Sequence, residues 1–98
     1  MERNVILATL RSHEPELRRA GITRLSLFGS TARGDASPDS DVDLLATFDQ
    51  SRQLSALDVV GLQLRLSKLL KCEVDLSEEG ALKPRIRDRV AVEAVRAF

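Results

Sequence analysis

Two short stretches decide the fold of this chain: LFGSTARG at residues 27–34 and SDVDLL at residues 40–45. The first completes the run Ile22–Phe28, whose mixture of β-branched and large apolar residues, ended by a glycine, predicts a short strand. The second begins an alternating pattern of acidic and apolar residues, which predicts another strand with one apolar face. Because successive strand side chains point to opposite faces, Asp41 and Asp43 share the face that turns away from the core.

The residues between these strands suit a nucleotide phosphate and a metal ion. Gly29 lets the backbone approach phosphate oxygens closely, free amides at a tight turn or a helix start donate hydrogen bonds, and Ser30 adds a hydroxyl. Two carboxylates on one face, Asp41 and Asp43, can engage a hard cation that also binds phosphate oxygens. On a later predicted strand, Asp75 projects from the side opposite Val74 and Leu76, so it is a candidate third carboxylate.

Outward from these stretches, hydrophobic periodicity and turn residues predict the order α-β-loop-β-α-β-α. The first predicted helix runs to about Ala20; Pro15 breaks it near residues 12–14, and Gly21 ends it. The elements predicted after it are the strand Ile22–Phe28, a loop over 34–40, the strand Asp41–Phe48, a helix over Leu54–Leu70, the strand Cys72–Leu76 and a last helix opened by Pro84. We expect the helix over Leu54–Leu70 to be well buried, with Leu57, Leu64 and Leu70 widening its apolar stripe.

Length and composition predict one compact domain over residues 1–98. Apolar residues make up 43% and charged residues 31%, a globular balance, and no apolar run is long enough to span a membrane. We therefore expect a cytoplasmic protein with no membrane association. The single cysteine, Cys72, excludes an intramolecular disulfide.

The charge is balanced overall but uneven along the chain. With 15 basic and 15 acidic residues the net charge is +0, so there is no strong case for nucleic-acid binding. No lysine or arginine lies between Arg33 and Arg52, whereas five aspartates do: Asp35, Asp39, Asp41, Asp43 and Asp49. This segment favours a cation, although a soluble loop alone explains Asp35 and Asp39.

Two other motifs are excluded by single residues. Residues 29–34 match the G-x-x-x-x-G part of a P-loop, but Asp35 replaces the required lysine and would repel phosphate. The acids from Asp39 mimic a calcium loop, but Leu44 stands at its glycine position and Gln50 at its bidentate glutamate position.

The three motifs at residues 27–34, 40–45 and 74–76 together resemble the DNA polymerase β-like nucleotidyltransferases, in particular the minimal nucleotidyltransferases paired with HEPN-domain proteins. The resemblance implies an α+β fold, a small mixed β-sheet backed by helices, like a polymerase β palm. It also implies that Gly29 and Ser30 grip the triphosphate of ATP.

By the same resemblance, Asp41, Asp43 and Asp75 are the catalytic carboxylates and bind Mg²⁺ or Mn²⁺, with Asp75 also helping to deprotonate the attacking hydroxyl. Arg33 is open to two interpretations, a contact to nucleotide phosphate or a structural contact to the acidic loop.

The implied function is transfer of AMP from ATP to a hydroxyl of a partner protein, a HEPN-type toxin that is neutralised by adenylylation. The alternative is a catalytically silent antitoxin or subunit that only covers such a partner. Homo- and hetero-oligomers both remain open.

Overall fold

The computed structural model describes residues 2–34 and 41–98 and contains a four-stranded sheet with helices on both faces. The elements are α1 Arg3–Ser12, α2 Glu14–Arg19, β1 Ile22–Phe28, α3 Gly29–Arg33, β2 Val42–Phe48, α4 Ala56–Leu70, β3 Val74–Glu78, α5 Pro84–Glu93 and β4 Val95–Arg96, with single 3₁₀ turns at Gln50–Arg52 and Glu79–Ala81. Of the loop predicted over residues 34–40, residues 35–40 lie outside the part of the chain that the structure describes.

The sheet has the strand order β3-β2-β1-β4 and is mixed. β1 pairs antiparallel with both β2 and β4, whereas β2 and β3 run parallel because α4 connects them. This arrangement is the predicted small mixed sheet of an α+β fold. β4 was not predicted, because two residues are too short to show a strand period.

Local sequence explains where the first helices end. Pro15 lies near the start of α2, where its missing amide hydrogen costs nothing, so the chain breaks at His13 as predicted. Gly21, with a φ of +112°, then turns the chain from α2 into β1.

The core lies on one face of the sheet, beneath α1, α2 and α4. Fully buried leucines and isoleucines of the two N-terminal helices and α4 meet the apolar face of β1, β2 and β3 there: Ile6, Leu10, Leu17, Ile22, Leu25, Leu27, Leu44, Leu66 and Leu70. The alternating pattern of β2 was therefore interpreted correctly at Val42 and Leu44.

α4 is less buried than the sequence predicts. Leu62, Leu66 and Leu70 are buried, but Leu57 is 82% exposed and Leu64 is 59% exposed, so the prediction that they widen the buried stripe is wrong. The reason is geometric: a helix packed on a sheet covers it with one stripe, and the apolar residues outside that stripe remain outward.

α5 covers part of the other face of the sheet. Its buried residue Val90 and the buried Leu45 of β2 stand apart from the main core and line one small cavity. Ile86, one turn before Val90 on the same helix, is 47% exposed. Within residues 2–34 and 41–98, the helices lack the combination of length and apolar content that crossing a bilayer requires.

Candidate active site

The antiparallel register of β1 and β2 brings the two predicted motifs together. Phe28, the last residue of β1, pairs with Asp43, so Gly29 follows beside this aspartate. Gly29 has a φ of +76°, and a Cβ built there would collide with the Asp43 carboxylate, whose Cγ would lie 3.2 Å away. Only glycine combines this conformation with so close an approach of backbone to carboxylate.

The parallel register of β2 and β3 adds the second aspartate. Asp43 pairs with Asp75, and neighbouring strands lie about 4.8 Å apart, so these side chains start side by side on the face away from the core. Asp41 precedes the first residue of β2 and lies two residues from Asp43. The Val42 amide fixes this strand start by donating to the Glu73 carbonyl at 2.9 Å.

The electrostatics of Asp43 record this crowding. Partial burial raises the pKa of the Asp43 carboxyl above its usual value, the negative charges of Asp75 and Asp41 raise that pKa further, and Arg33 opposes them. Asp41 and Asp75 are exposed and both act on Asp43, which is half-buried.

The chemistry of these residues fits a hard divalent cation. All three donors are carboxylate oxygens, which Mg²⁺ and Mn²⁺ prefer, and a cation would remove the repulsion that raises the Asp43 pKa. Among the described residues, however, no three His, Cys, Asp or Glu side chains already form a metal-binding group. The roles of Asp41, Asp43 and Asp75 as metal ligands therefore stay a prediction.

The short helix α3 carries the predicted nucleotide-binding residues. Ser30 is half-buried in its first turn, where helix amides lack intrahelical partners. The helix is held from α1, because the Arg3 guanidinium donates to the Ala32 carbonyl at 2.8 Å. Gly29 and Ser30 thus share one rigid turn beside Asp43.

Arg33 forms an ion pair with Glu93 of α5, with Nη1 and Oε2 3.3 Å apart. It also lies close enough to Asp43 to act on that carboxylate. The predicted contact to the acidic loop falls on residues 35–40, outside the described residues. Arg33 thus interacts with both Asp43 and Glu93, and its contact to nucleotide phosphate stays a prediction.

Sequence reasoning missed the residues that support α3. Arg3 is 29 residues from Ala32, and Arg33 is 60 residues from Glu93, so no local pattern could reveal either contact. The helix that begins at Gly29 was itself hidden, since five residues are too few to show a helical period.

Comparison with known proteins shows the family of the chain. The nucleotidyltransferase domain family matches residues 10–97, which is most of the chain. The chain belongs to this family.

Individual relatives are similar over most of their length. The protein adenylyltransferase MntA of Thermococcus cleftensis is 40% identical over 91 residues, which cover 92% of this chain and 90% of that protein. The solved structure of a proposed minimal nucleotidyltransferase matches with a TM-score of 0.82 at 38% identity, covering 97% of this chain and 95% of the other.

A more distant likeness extends to a complex. A chain from the structure of a tri-AMPylated Shewanella oneidensis HEPN toxin with its MNT antitoxin matches with a TM-score of 0.68 at 17% identity, covering 94% of this chain and 71% of that one. At this identity the match supports the shared fold alone.

Proposed function

We propose that this chain is a metal-dependent protein adenylyltransferase that transfers AMP from ATP to a hydroxyl of a HEPN-type partner, as the antitoxin of a toxin–antitoxin pair. One observation carries the proposal: the strand registers set Gly29 against Asp43 and Asp43 beside Asp75. The 40% identity to a protein adenylyltransferase supports the choice of AMP and of a protein acceptor.

In this mechanism each residue has a separate task. Gly29 and Ser30 bind the triphosphate through backbone amides and a hydroxyl, and the close approach at Gly29 positions the phosphates near Asp43. Asp41, Asp43 and Asp75 would hold Mg²⁺ or Mn²⁺, which neutralises the charge that develops on phosphoryl oxygens. Arg33 adds a positive charge on the same side.

The reaction forms a bond between the acceptor oxygen and the α-phosphorus and breaks the bond from that phosphorus to the pyrophosphate oxygen. Asp75 takes the proton of the acceptor hydroxyl, since it is exposed at the edge strand of the sheet where an acceptor can reach it. Pyrophosphate leaves with the electron pair of the broken bond.

The test is intact-mass spectrometry of the cognate HEPN-type partner after incubation with this chain, ATP and magnesium. We expect added masses of one or more AMP units. The Asp41→Asn/Asp43→Asn variant should still bind the partner but add no mass and fail to neutralise it. A matched control, Glu78→Gln/Asp88→Asn, removes two negative charges from exposed positions and should behave as wild type.

The alternative of a silent antitoxin predicts the opposite result. If no mass is added by wild type and the Asp41→Asn/Asp43→Asn variant neutralises the partner equally well, the enzymatic proposal is wrong. Binding that covers the partner would then be the whole function.

A further inference from the structure

A second feature lies on the same sheet face as the aspartates but outside their cluster. Between the sheet and α5 is a cavity of about 130 Å³. Arginines from three elements are among the residues that line it: Arg24 from β1, Arg87 from α5 and Arg96 from β4. Its floor includes Ser26 and Leu45, which face each other across the β1/β2 register.

The cavity carries an excess of positive charge. Among the described residues that line it, Glu79 is the only acid, and its carboxylate accepts a hydrogen bond from the Thr47 hydroxyl at 2.9 Å. Within residues 2–34 and 41–98, none of the three arginines has a carboxylate within 4.0 Å. In the part of the chain that the structure describes, the hydrogen bonds that Arg87 donates are long, 3.4 and 3.3 Å, and go to backbone carbonyls at residues 80 and 82.

Ser26 supplies an independent observation. It is 7% exposed, and its hydroxyl makes no hydrogen bond among the described residues. Among the described residues, no fully buried side-chain nitrogen or oxygen atom lacks a hydrogen-bond partner. The Ser26 hydroxyl is therefore not fully buried, and Ser26 lines the cavity. The Ser26 hydroxyl is therefore available to a group that enters the cavity.

We propose that this cavity is a phosphate-binding subsite, in which Arg24, Arg87 and Arg96 pair with phosphate oxygens and Ser26 donates its hydroxyl. Arginine forks match phosphate geometry and are always charged, which suits a doubly charged oxyanion. A cavity of roughly 150 Å³ accommodates a benzene molecule, so one phosphate group fits.

The position of the cavity defines its relation to the proposed reaction. Leu45 is two residues after Asp43 on β2, about 7 Å along the strand, and lies away from Gly29. A phosphate in the cavity is therefore a different group from the one held at Gly29 and Ser30. This step rests on the proposed function: the phosphate in the cavity belongs either to an AMP unit already attached to the acceptor or to the donor nucleotide, as a further phosphate.

The binding test uses inorganic phosphate alone, with EDTA to remove metal, at constant ionic strength. We expect saturable NMR shifts of the amides near Ser26 and Arg96. Arg24→Gln/Arg96→Gln should weaken phosphate binding by roughly ten-fold or more, because two charge-assisted contacts are lost. Ser26→Ala should weaken it less.

The matched control is Arg85→Gln/Arg89→Gln, which removes the same charge from exposed positions of α5 that do not line the cavity. It should retain wild-type phosphate binding. No saturable shift in wild type, or an equal loss in both double variants, would overturn the subsite.

A second measurement identifies the source of the phosphate by counting AMP units on the partner over time. If the phosphate belongs to transferred AMP, Arg24→Gln/Arg96→Gln adds the first unit at the wild-type rate and the next about ten-fold more slowly. If it belongs to the donor, this variant raises KM for ATP in the first transfer. Unchanged kinetics at every step would contradict the proposal, whereas phosphate binding without any added mass would contradict only the proposed function.

Discussion

The carboxylates at the start of β2 and those at the start of α4 have opposite electrostatics. The pKa of Asp43 is raised by partial burial and by the charges of Asp75 and Asp41. The pKa of Asp58 is lowered by the Ser55 amide, which donates to its carboxylate at 2.8 Å, and by the Ser55 hydroxyl. The Asp58 carboxylate already accepts hydrogen bonds, whereas the Asp43 carboxylate lies beside two other negative charges.

This difference distinguishes an acid with a structural role, Asp58, from the proposed site acid Asp43. Asp58 completes a capping box with Ser55 and thereby satisfies the first turn of α4. Asp43 lies against Gly29. Among the causes of its pKa shift there is no hydrogen-bond donor, and only the charge of Arg33 lowers the pKa. An acid whose pKa is raised by neighbouring acids costs stability unless a cation is bound, and such acids are common at catalytic sites.

The largest expected effect is ligand stabilisation at the β2 acids. Magnesium with ATP at about one hundred times Kd should stabilise the fold by about 2.7 kcal/mol, because only the folded chain binds. Asp41→Asn should abolish this gain in a thermal-unfolding scan. A gain in Asp41→Asn equal to that of wild type would show that Asp41 is not a ligand.

The next effect concerns the glycine that contacts Asp43. Gly29→Ala should destabilise the fold by roughly 1–3 kcal/mol, since a positive φ and a collision with the carboxylate both oppose a Cβ. Chemical denaturation measures this loss. Gly80→Ala is the matched control, because its Cβ would meet nothing within 4 Å; an equal loss there would remove the special role of Gly29.

A smaller effect is expected at the capping box. Ser55→Ala should cost about 1 kcal/mol of stability by leaving the Asp58 amide without its hydroxyl acceptor at 3.2 Å. Adenylyl transfer should be unchanged, because α4 starts away from the three site aspartates. A loss of transfer rate without loss of stability would mean that this helix start belongs to the site.

The smallest effect is the pH dependence of the metal-free protein. Since the folded pKa of Asp43 is raised, the stability that it contributes is present below the ordinary aspartate pKa, about 3.9, and is lost as pH rises through the folded pKa. Asp43→Asn should therefore raise the metal-free Tm slightly at pH 7, with the difference shrinking towards pH 4.

The sign is reversed for Asp58, whose folded pKa is lowered. Its contribution is present above the ordinary aspartate pKa and is lost as pH falls through the folded value. Asp58→Asn should accordingly lower the Tm at pH 7. A stabilising Asp58→Asn, or a destabilising Asp43→Asn without metal, would contradict the comparison.

Much of the fold could be predicted from local sequence. The strand Ile22–Phe28 has the predicted bounds, and the break between α1 and α2 lies at His13 because Pro15 acts locally. The family was likewise identified from three short motifs. Predictions were wrong at Leu57 and Leu64, because the side of a helix that a sheet covers depends on packing that apolar residues alone do not specify.

The sequence by itself determined the candidate site residues: a glycine and a serine after one strand, and aspartates at alternate positions of another. Only the tertiary structure decided how they meet, because strand register sets Gly29 against Asp43 and Asp43 beside Asp75. It also placed Arg24, Arg87 and Arg96 around one cavity, with Arg96 carried by the unpredicted β4. Residue type and periodicity are local properties, whereas register and the approach of distant segments follow from burying one shared core.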